Sequence, residues 1–458
     1  MDMNDEGGKL SESPDRISDM PDSVIECILS RLPLQDMVRT SILSTNWRLH
    51  WTKVPELILN LQFFLHLLNY EPFRDYDDEE ISEMSKNFKY VTTVSRMLLV
   101  HGEPIHKFFL LIPFRTLPPD VNLWIYSVSR KGVKRLTLHA YYNQFKVPSY
   151  VYHCTELKHF RLAGCELCPS QSFRGFSHLL NLEVAHAKVS GDAISTLISG
   201  CPLLERVSLD CIFGEWASVF TKSVSAPKLK QFLLQSLTFI NVIFTRTPEL
   251  TIVSYGYYDM DLLPTDIKLS NIVQFFGSVP KIEDITLSGN VLSEFGKHDV
   301  PERLLAPLGD LRSLTLIEMN ICTPDNLLSA FCILKSSLHL HKLNILVESK
   351  LALSWRDAVD YLEAQQRAAP TSFSLKTVKI KELLGRPPEV LLIEILLSSC
   401  LMLEKMYLFG HHYITPDNDS KMLAIATRLR ASTKAEIIYS RSSAFYSPFN
   451  FWCKQTWM

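Results

Sequence analysis

Apolar residues along the chain recur as apolar-x-x-apolar-x-apolar. The first instances are Val133-Leu136-Leu138, Leu157-Phe160-Leu162, Leu179-Leu182-Val184 and Leu204-Val207-Leu209. The pattern continues through Leu229-Phe232-Leu234, Leu250-Val253-Tyr255, Ile282-Ile285-Leu287 and Leu311-Leu314-Leu316. It ends with Leu340-Leu343-Ile345, Leu375-Val378-Ile380 and Leu403-Met406-Leu408. Successive instances lie 21 to 35 residues apart, with a mean of 27. That spacing belongs to a repeat architecture, with one structural unit per period. The last two apolar residues of each instance face inward from a short strand, and the leading one packs just before it. The chain then returns by a helix or an irregular segment. Asp192 to Ser199 shows such a return, with Ile194, Leu197 and Ile198 at helical spacing and Gly200 as the expected helix exit. Pro202 prevents that helix from continuing. Cys165 follows Leu162 by three positions and Asn290 follows Leu287 by three. A small polar side chain there can satisfy backbone groups as the chain leaves the strand.

The pattern differs at both ends. Pro21 suits a first helical position and Asp22 suits the positive helix start. Val24, Ile25, Ile28, Leu29 and Leu32 then form an apolar stripe of helical period, ended by Pro33. A second short helix is expected from Leu34, presenting Val38 and Ile42, and a third carries Trp47 and Trp51 on one face. Three short helices in about forty residues make a marginal core, so this module needs a partner to complete its burial. Farther on, Leu375 to Ile380 alternates as a half-buried strand does. Gly385 to Glu389 breaks the chain and starts a helix with Pro388 in its first turn. Val390 to Leu397 is apolar nearly all round, and so buried. Leu403 to Leu408 is a closing strand. Between the two ends, Arg74 to Glu80 reads as an acidic solvated loop and Pro118-Pro119 as a turn.

Composition narrows the function classes. Lys and Arg total 47 against 49 Asp and Glu, a formal net charge of -2. That balance argues against a nucleic-acid partner, whose recognition rests on a basic surface. No stretch reaches the roughly 18 unbroken apolar residues of a membrane helix, so no membrane partner is expected. The N-terminal residues lack the apolar core of a signal peptide. The ten cysteines sit in apolar contexts such as Glu26-Cys27-Ile28 and Phe331-Cys332-Ile333. They read as free thiols buried as small hydrophobes in a reducing compartment, cytoplasm or nucleus. Catalytic chemistry is not evident. The chain has no G-x-G-x-x-G, P-loop, H-E-x-x-H or G-x-S-x-G motif. Cys165-x-x-Cys168 has no second pair of matching spacing, so no metal is expected. His411-His412 reads as a surface turn. No catalytic residue, cofactor or metal ligand is assigned.

The stretch Ile17-Ser18-Asp19-Met20-Pro21-Asp22-Ser23-Val24-Ile25, with Leu29-Ser30-Arg31-Leu32-Pro33-Leu34-Gln35-Asp36 and Val38-Arg39-Thr40-Ser41-Ile42-Leu43-Ser44, resembles the F-box motif of plant proteins. Trp47-Arg48 and Trp51-Thr52-Lys53-Val54-Pro55 belong to the same pattern. Gly200-Cys201-Pro202-Leu203-Leu204-Glu205 and Ala226-Pro227-Lys228-Leu229 resemble the repeat starts of plant F-box leucine-rich-repeat proteins. Leu375-Lys376-Thr377-Val378-Lys379-Ile380 and Leu403-Glu404-Lys405-Met406 resemble the FBD domain that follows such repeats. Met20 replaces the usual Leu, a volume-conserving change, and Thr45-Asn46 and Leu49-His50 replace the usual neighbours of the tryptophans.

The resemblance implies an α/β fold, an N-terminal three-helix F-box followed by an irregular leucine-rich-repeat solenoid closed by an FBD segment. The expected layout is a disordered tail at 1–15, F-box at 16–60 and a linking region with the start of the solenoid at 61–130. Leucine-rich repeats follow at 131–370, an FBD domain at 371–430 and a C-terminal tail at 431–458. The implied function is that of a non-catalytic substrate-recognition adaptor of a Skp–cullin–F-box ubiquitin ligase. Its implied partners are a Skp-type adaptor, through it a cullin scaffold, and a protein substrate held by the repeats and FBD. The adaptor-binding residues carried over are Pro21, Ile25, Leu29, Leu32, Pro33, Asp36, Val38 and Trp47. The alternative is a leucine-rich-repeat scaffold whose F-box no longer recruits a ligase.

Overall fold

Short parallel strands, many of them entered through the same kind of turn, organise the structure. The computed structural model describes residues 20–45, 47–68, 79–113, 116–140, 145–170, 172–189, 193–212, 221–237, 241–258, 272–297, 299–348, 354–368, 372–426 and 435–441. The expected tail at 1–15, most of that at 431–458 and positions 74–78 of the acidic stretch lie outside these residues. The chain divides into two compact units after Leu157.

The first unit opens with helices Asp22–Leu29 and Leu34–Arg39, then 3₁₀ turns at Thr40–Ile42 and Trp47–Lys53. Pro21 and Pro33 sit at the caps of the two helices. The third expected helix is therefore a 3₁₀ segment. Its three-residue bonds, such as Val54 N–H to the Trp51 carbonyl at 3.4 Å, place residues three apart on one line. Trp47 and Trp51, four apart, diverge, and only Trp47 is buried. Strands β1 (Glu56–Leu59), β2 (Lys107–Ile112) and β3 (Arg135–Ala140) follow, parallel in sequence order, with the short β4 (Phe145–Lys146) after them. Helices Leu61–Leu68, Glu79–Val100 and Pro118–Ser129 connect them. Glu79 and Glu80 start a helix here, because Tyr90, Val94, Met97 and Leu98 supply a buried stripe. Pro118 and Pro119 occupy the first helical positions, where their missing N–H groups cost nothing.

Among the described residues, the second unit carries eleven parallel strands paired in sequence order. These are β5 (His159–Ala163), β7 (Asn181–Ala185), β9 (Arg206–Ile212), β11 (Gln231–Ser236), β13 (Ile252–Tyr257) and β14 (Asp284–Ser288). The row continues with β15 (Ser313–Met319), β16 (Lys342–Val347), β17 (Thr377–Leu383), β18 (Lys405–Gly410) and β19 (Glu436–Arg441). Side ladders pair β6 (Cys165–Leu167) with β8 (Lys188–Val189) and β10 (Thr221–Ser225) with β12 (Asn241–Arg246).

The repeat pattern is the pairing register. Phe160 opposes Leu182, Leu182 opposes Val207, and Val207 opposes Phe232, so each apolar position meets its equivalent and forms a continuous buried row. Leu162, Leu182, Leu209 and Leu234 have 0% exposure. Proline turns deliver the strands: the carbonyls of Cys201, Ala226 and Thr247 accept from the N–H groups of Leu204, Leu229 and Leu250 at 3.1–3.2 Å. Pro202, Pro227 and Pro248 occupy the second turn position, for which their fixed φ is suited. Two residues past the third apolar position the chain turns left-handed, at Gly164, His186, Cys211, Glu318 and Glu382 (φ 48° to 67°). Four of these five lack glycine's freedom and hold the conformation through their neighbours.

Three local expectations change. Gly200 has no positive φ; it is needed because a Cβ there would lie 2.3 Å from the Arg174 carbonyl oxygen. Cys27 is exposed, since Ile25 and Leu29 take the inward face of its helix. His411 is buried at 4% exposure rather than set in a surface turn. Among the described residues, no helix is long and apolar enough to cross a membrane.

Candidate docking surfaces

The N-terminal module uses some of its apolar residues internally and presents others. Ile25, Leu29 and Trp47, expected at a docking surface, are core residues with exposures of 0%, 0% and 3%. Pro21 and Pro33 are exposed, while Leu32, Asp36 and Val38 are half-buried. Leu32 and Pro33 line a pocket of about 210 Å³ with Met37, Val54 and Ile58. Asp36 pairs with Arg39 at 3.2 Å on an open surface, a contact of little weight for stability.

Five apolar side chains not expected at this surface are exposed: Val24, Ile28, Ile42, Leu43 and Leu49, with Ile42 at 86%. Val24 and Ile28 belong to the stripe Val24-Ile25-Ile28-Leu29-Leu32, which is too wide for the core behind it. Leu43 and Leu49 stand where polar residues would be expected on a free surface. Together they leave an unusually apolar surface on so small a module.

The second surface is the open face of the sheet in the second unit. Strand side chains alternate, so the residues between the buried rows form rows of their own. One row runs from Arg161 and Glu183 through Ser208, Leu233, Ser254, Thr286 and Thr315 to Asn344, Lys379 and Tyr407. Its chemistry changes along the stack. At the start Arg161 and Glu183 pair at 3.6 Å; burial pushes the Glu183 carboxyl up, opposed by Arg161, and pulls the Arg161 guanidinium down. The middle is neutral and closed to solvent, with Leu233, Ser254 and Thr286 at 2% exposure, so the accessible parts of the row are its two ends. Asn344 Nδ2 donates to Thr315 Oγ1 at 3.2 Å.

At the far end, Lys379 lies over the Tyr407 ring (5.2 Å) and Lys381 over Phe409 (5.8 Å). Both lysines border a pocket of about 200 Å³ floored by Ile317 and Leu346. Apolar floor, polar rim and aromatic-held cations suit the recognition of a protein segment.

Several other reactive or polar groups serve the fold. Burial pushes the thiols of Cys154 and Cys400 up to about 12 and those of Cys201 and Cys332 to about 11, so these cysteines are weak nucleophiles. Cys165 Sγ donates to the Ala163 carbonyl at 3.3 Å and Asn290 Nδ2 to the Tyr257 carbonyl at 3.1 Å. Both serve backbone groups near strand ends. Among the described residues, no cluster with metal-ligand geometry includes Cys165 or Cys168. The carboxylate of Glu389 closes its own helix start, Oε2 accepting from Leu384, Gly385 and Arg386 N–H at 2.8–3.2 Å.

The chain is similar to known proteins in both its N-terminal module and its repeats. A family model for the F-box domain matches residues 17–59. A second, described as the LRR repeats of FBD-associated F-box protein At5g56370, matches residues 121–271. F-box/FBD/LRR-repeat protein At1g13570 of Arabidopsis thaliana is 31% identical over 449 residues, 94% of this chain and 99% of that protein. F-box/LRR-repeat protein At4g14103 of the same plant is 35% identical over 48% of this chain and 56% of its own length. F-box/FBD/LRR-repeat protein At2g04230, also from Arabidopsis thaliana, is 28% identical over 50% of this chain and 49% of its own length.

Proposed function

The chain belongs to the F-box/FBD/LRR-repeat family, and from that premise we propose that it is the substrate-recruiting subunit of a Skp–cullin–F-box ubiquitin ligase. The carrying observation is an F-box module with apolar side chains left in solvent. Val24, Ile28, Ile42, Leu43 and Leu49 are exposed, and a partner helix laid on them would remove that surface from water at about 25 cal/mol per Å². Pro21, Leu32, Pro33, Asp36 and Val38 complete the Skp-type docking surface. Ile25, Leu29 and Trp47 act from behind it, fixing the helices that carry it. The open face of the repeats and FBD holds the protein substrate, in the cytoplasm or nucleus.

The mechanism is proximity. Holding a substrate on one surface and the ligase on another raises the local concentration of a substrate lysine near a charged conjugating enzyme. No covalent step falls to this chain.

The test is co-expression of the full chain with a Skp-type adaptor, followed by affinity capture. Wild type should retain the adaptor. Leu32→Ala/Pro33→Ala and, separately, Ile42→Asp/Leu49→Asp should lose it while keeping the wild-type circular dichroism spectrum. Each pair should cost at least about 2 kcal/mol if it includes an interface anchor. A folded wild type that captures no adaptor would leave the scaffold reading in place of the ligase reading.

A further inference from the structure

We propose that His186, Asp210 and Cys211 form a zinc-binding site at the ends of β7 and β9. One ligand atom from each residue lies within 4.8 Å of the other two. Regular strands do not produce this convergence, because successive side chains alternate faces and Asp210 and Cys211 would point apart. Cys211 adopts φ 48°, and so does His186 at the equivalent position of the preceding repeat. The left-handed turn breaks the alternation, and the His186 N–H donates to the Asp210 carbonyl at 2.9 Å, tying the two strand ends together. An imidazole, a carboxylate and a thiol form the mixed N/O/S set that suits zinc better than magnesium or calcium. Three protein ligands leave a fourth position for water or an incoming side chain, and His186 is exposed, which gives the ion a way in.

A second observation points to a ligand independently. Gln235 opposes Asp210 in the pairing of β9 with β11. Its side chain has no solvent exposure, and neither amide atom completes a hydrogen bond of ordinary geometry, although it approaches the Tyr258 hydroxyl. The Asp210 carboxyl accepts from the thiol and backbone N–H of Cys211, yet its Oδ1 is buried with no partner of its own. Buried polar atoms in this state are costly and uncommon. A cation bound to Asp210, with water ordered against Gln235, would answer both deficits.

A second cluster, Glu382, His411 and His412, meets the same distance condition but makes a natural control. His411 Nε2 lies 3.3 Å from Glu382 Oε2, and its Nδ1 accepts from the Tyr413 N–H at 3.0 Å. That imidazole is engaged on both sides without an ion.

The experiment is to load the purified full chain with zinc, dialyse it, measure metal by mass spectrometry, and determine affinity by competition with a chromophoric chelator. Wild type should keep about one zinc per chain. His186→Ala and Asp210→Asn should weaken binding about tenfold or more, and His412→Ala should not. With cobalt in place of zinc, a thiolate charge-transfer band should appear in wild type and vanish in Cys211→Ser. His186 is exposed, so its variant tests the site without disturbing the core. Absence of bound zinc in wild type, or equal retention in the His186 and Asp210 variants, would overturn the proposal.

Discussion

His101 is buried, with Nε2 3.0 Å from the Val54 carbonyl, and Lys131 Nζ donates to the His101 carbonyl at 2.6 Å. Burial, and after it the nearby Lys131, lowers its pKa, against hydrogen bonds that raise it. The unfolded chain therefore binds this proton more readily than the folded one. The resulting stability is present above the ordinary histidine pKa of about 6.5 and is lost as pH falls through the window below it. Wild type should lose urea resistance between about pH 7 and about pH 5, and His101→Gln should lose less, because its amide keeps a donor and has no proton to gain. Parallel losses in both proteins would remove His101 as the cause. The cysteines give a second prediction at this scale. A thiol reagent applied to the native chain should modify Cys27, which is exposed, well before Cys154, Cys201, Cys332 or Cys400. Rapid labelling of those four would contradict their burial. The docking residues show what single-residue reasoning can reach. Leu32 and Pro33 were recognisable from the motif and do line a surface pocket. The division of the Val24–Leu32 stripe into inward Ile25 and Leu29 and outward Val24 and Ile28 was not, because a stripe wider than its core leaves the choice to tertiary packing.

Elements follow from the sequence where the repeat is regular and escape it where other features overlay the repeat. Eleven strands were readable from their apolar triplets: β3 pairs with β2 in the first unit, and β5 to β18 pair in sequence order in the second. Two more triplets, Val54-Leu57-Leu59 and Ile105-Phe108-Leu110, are equally apolar and buried, and they form β1 and β2. The first overlaps the closing residues of the F-box motif. The second lies at a regular repeat distance before Val133, but within the unbroken apolar run Phe108-Phe109-Leu110-Leu111-Ile112, where the alternation that marks a repeat strand is hidden. Strand β19 was hidden for another reason: Lys434 stands where its leading apolar residue would be. Return segments depend on close approaches that composition does not reveal, and Gly200 allows a prediction. Gly200→Ala should destabilise by about 1–3 kcal/mol, as overpacking does, since its Cβ would meet the Arg174 carbonyl oxygen at 2.3 Å. Gly277→Ala has open space around the added Cβ and should stay within about 0.5 kcal/mol. Thermal unfolding of the two variants separates the readings: equal shifts would mean that Gly200 is not held by packing.

Across the whole molecule, a row of parallel strands has two edges, and every edge offers unpaired backbone groups and buried apolar rows to other chains. Among the described residues of the second unit the last edge is β19, which pairs along β18 from Glu436 opposite Lys405 to Arg441 opposite Gly410. Its side chains differ from those of the inner strands: Glu436, Ser440 and Arg441 are exposed and the three between them only half-buried. That polar edge is what a terminal strand needs to stay soluble. It is also anchored. The Tyr439 hydroxyl donates to Asp419 on the helix Pro416–Ala426, and Arg441 donates to the Ile414 carbonyl at 3.0 Å. The segment therefore acts as a cap, although its sequence position suggested a tail. A chain ended before Glu436 would uncover the Lys405–Gly410 edge, with Met406 and Leu408 at 0% exposure in the intact protein. Such a chain should express mainly as aggregate and elute in the void volume on gel filtration. Tyr439→Phe, which breaks only the contact to Asp419, should remain soluble with a loss of about 1 kcal/mol. A truncated chain as soluble and stable as the full one would show that β18 tolerates its own edge and that β19 is dispensable to the fold.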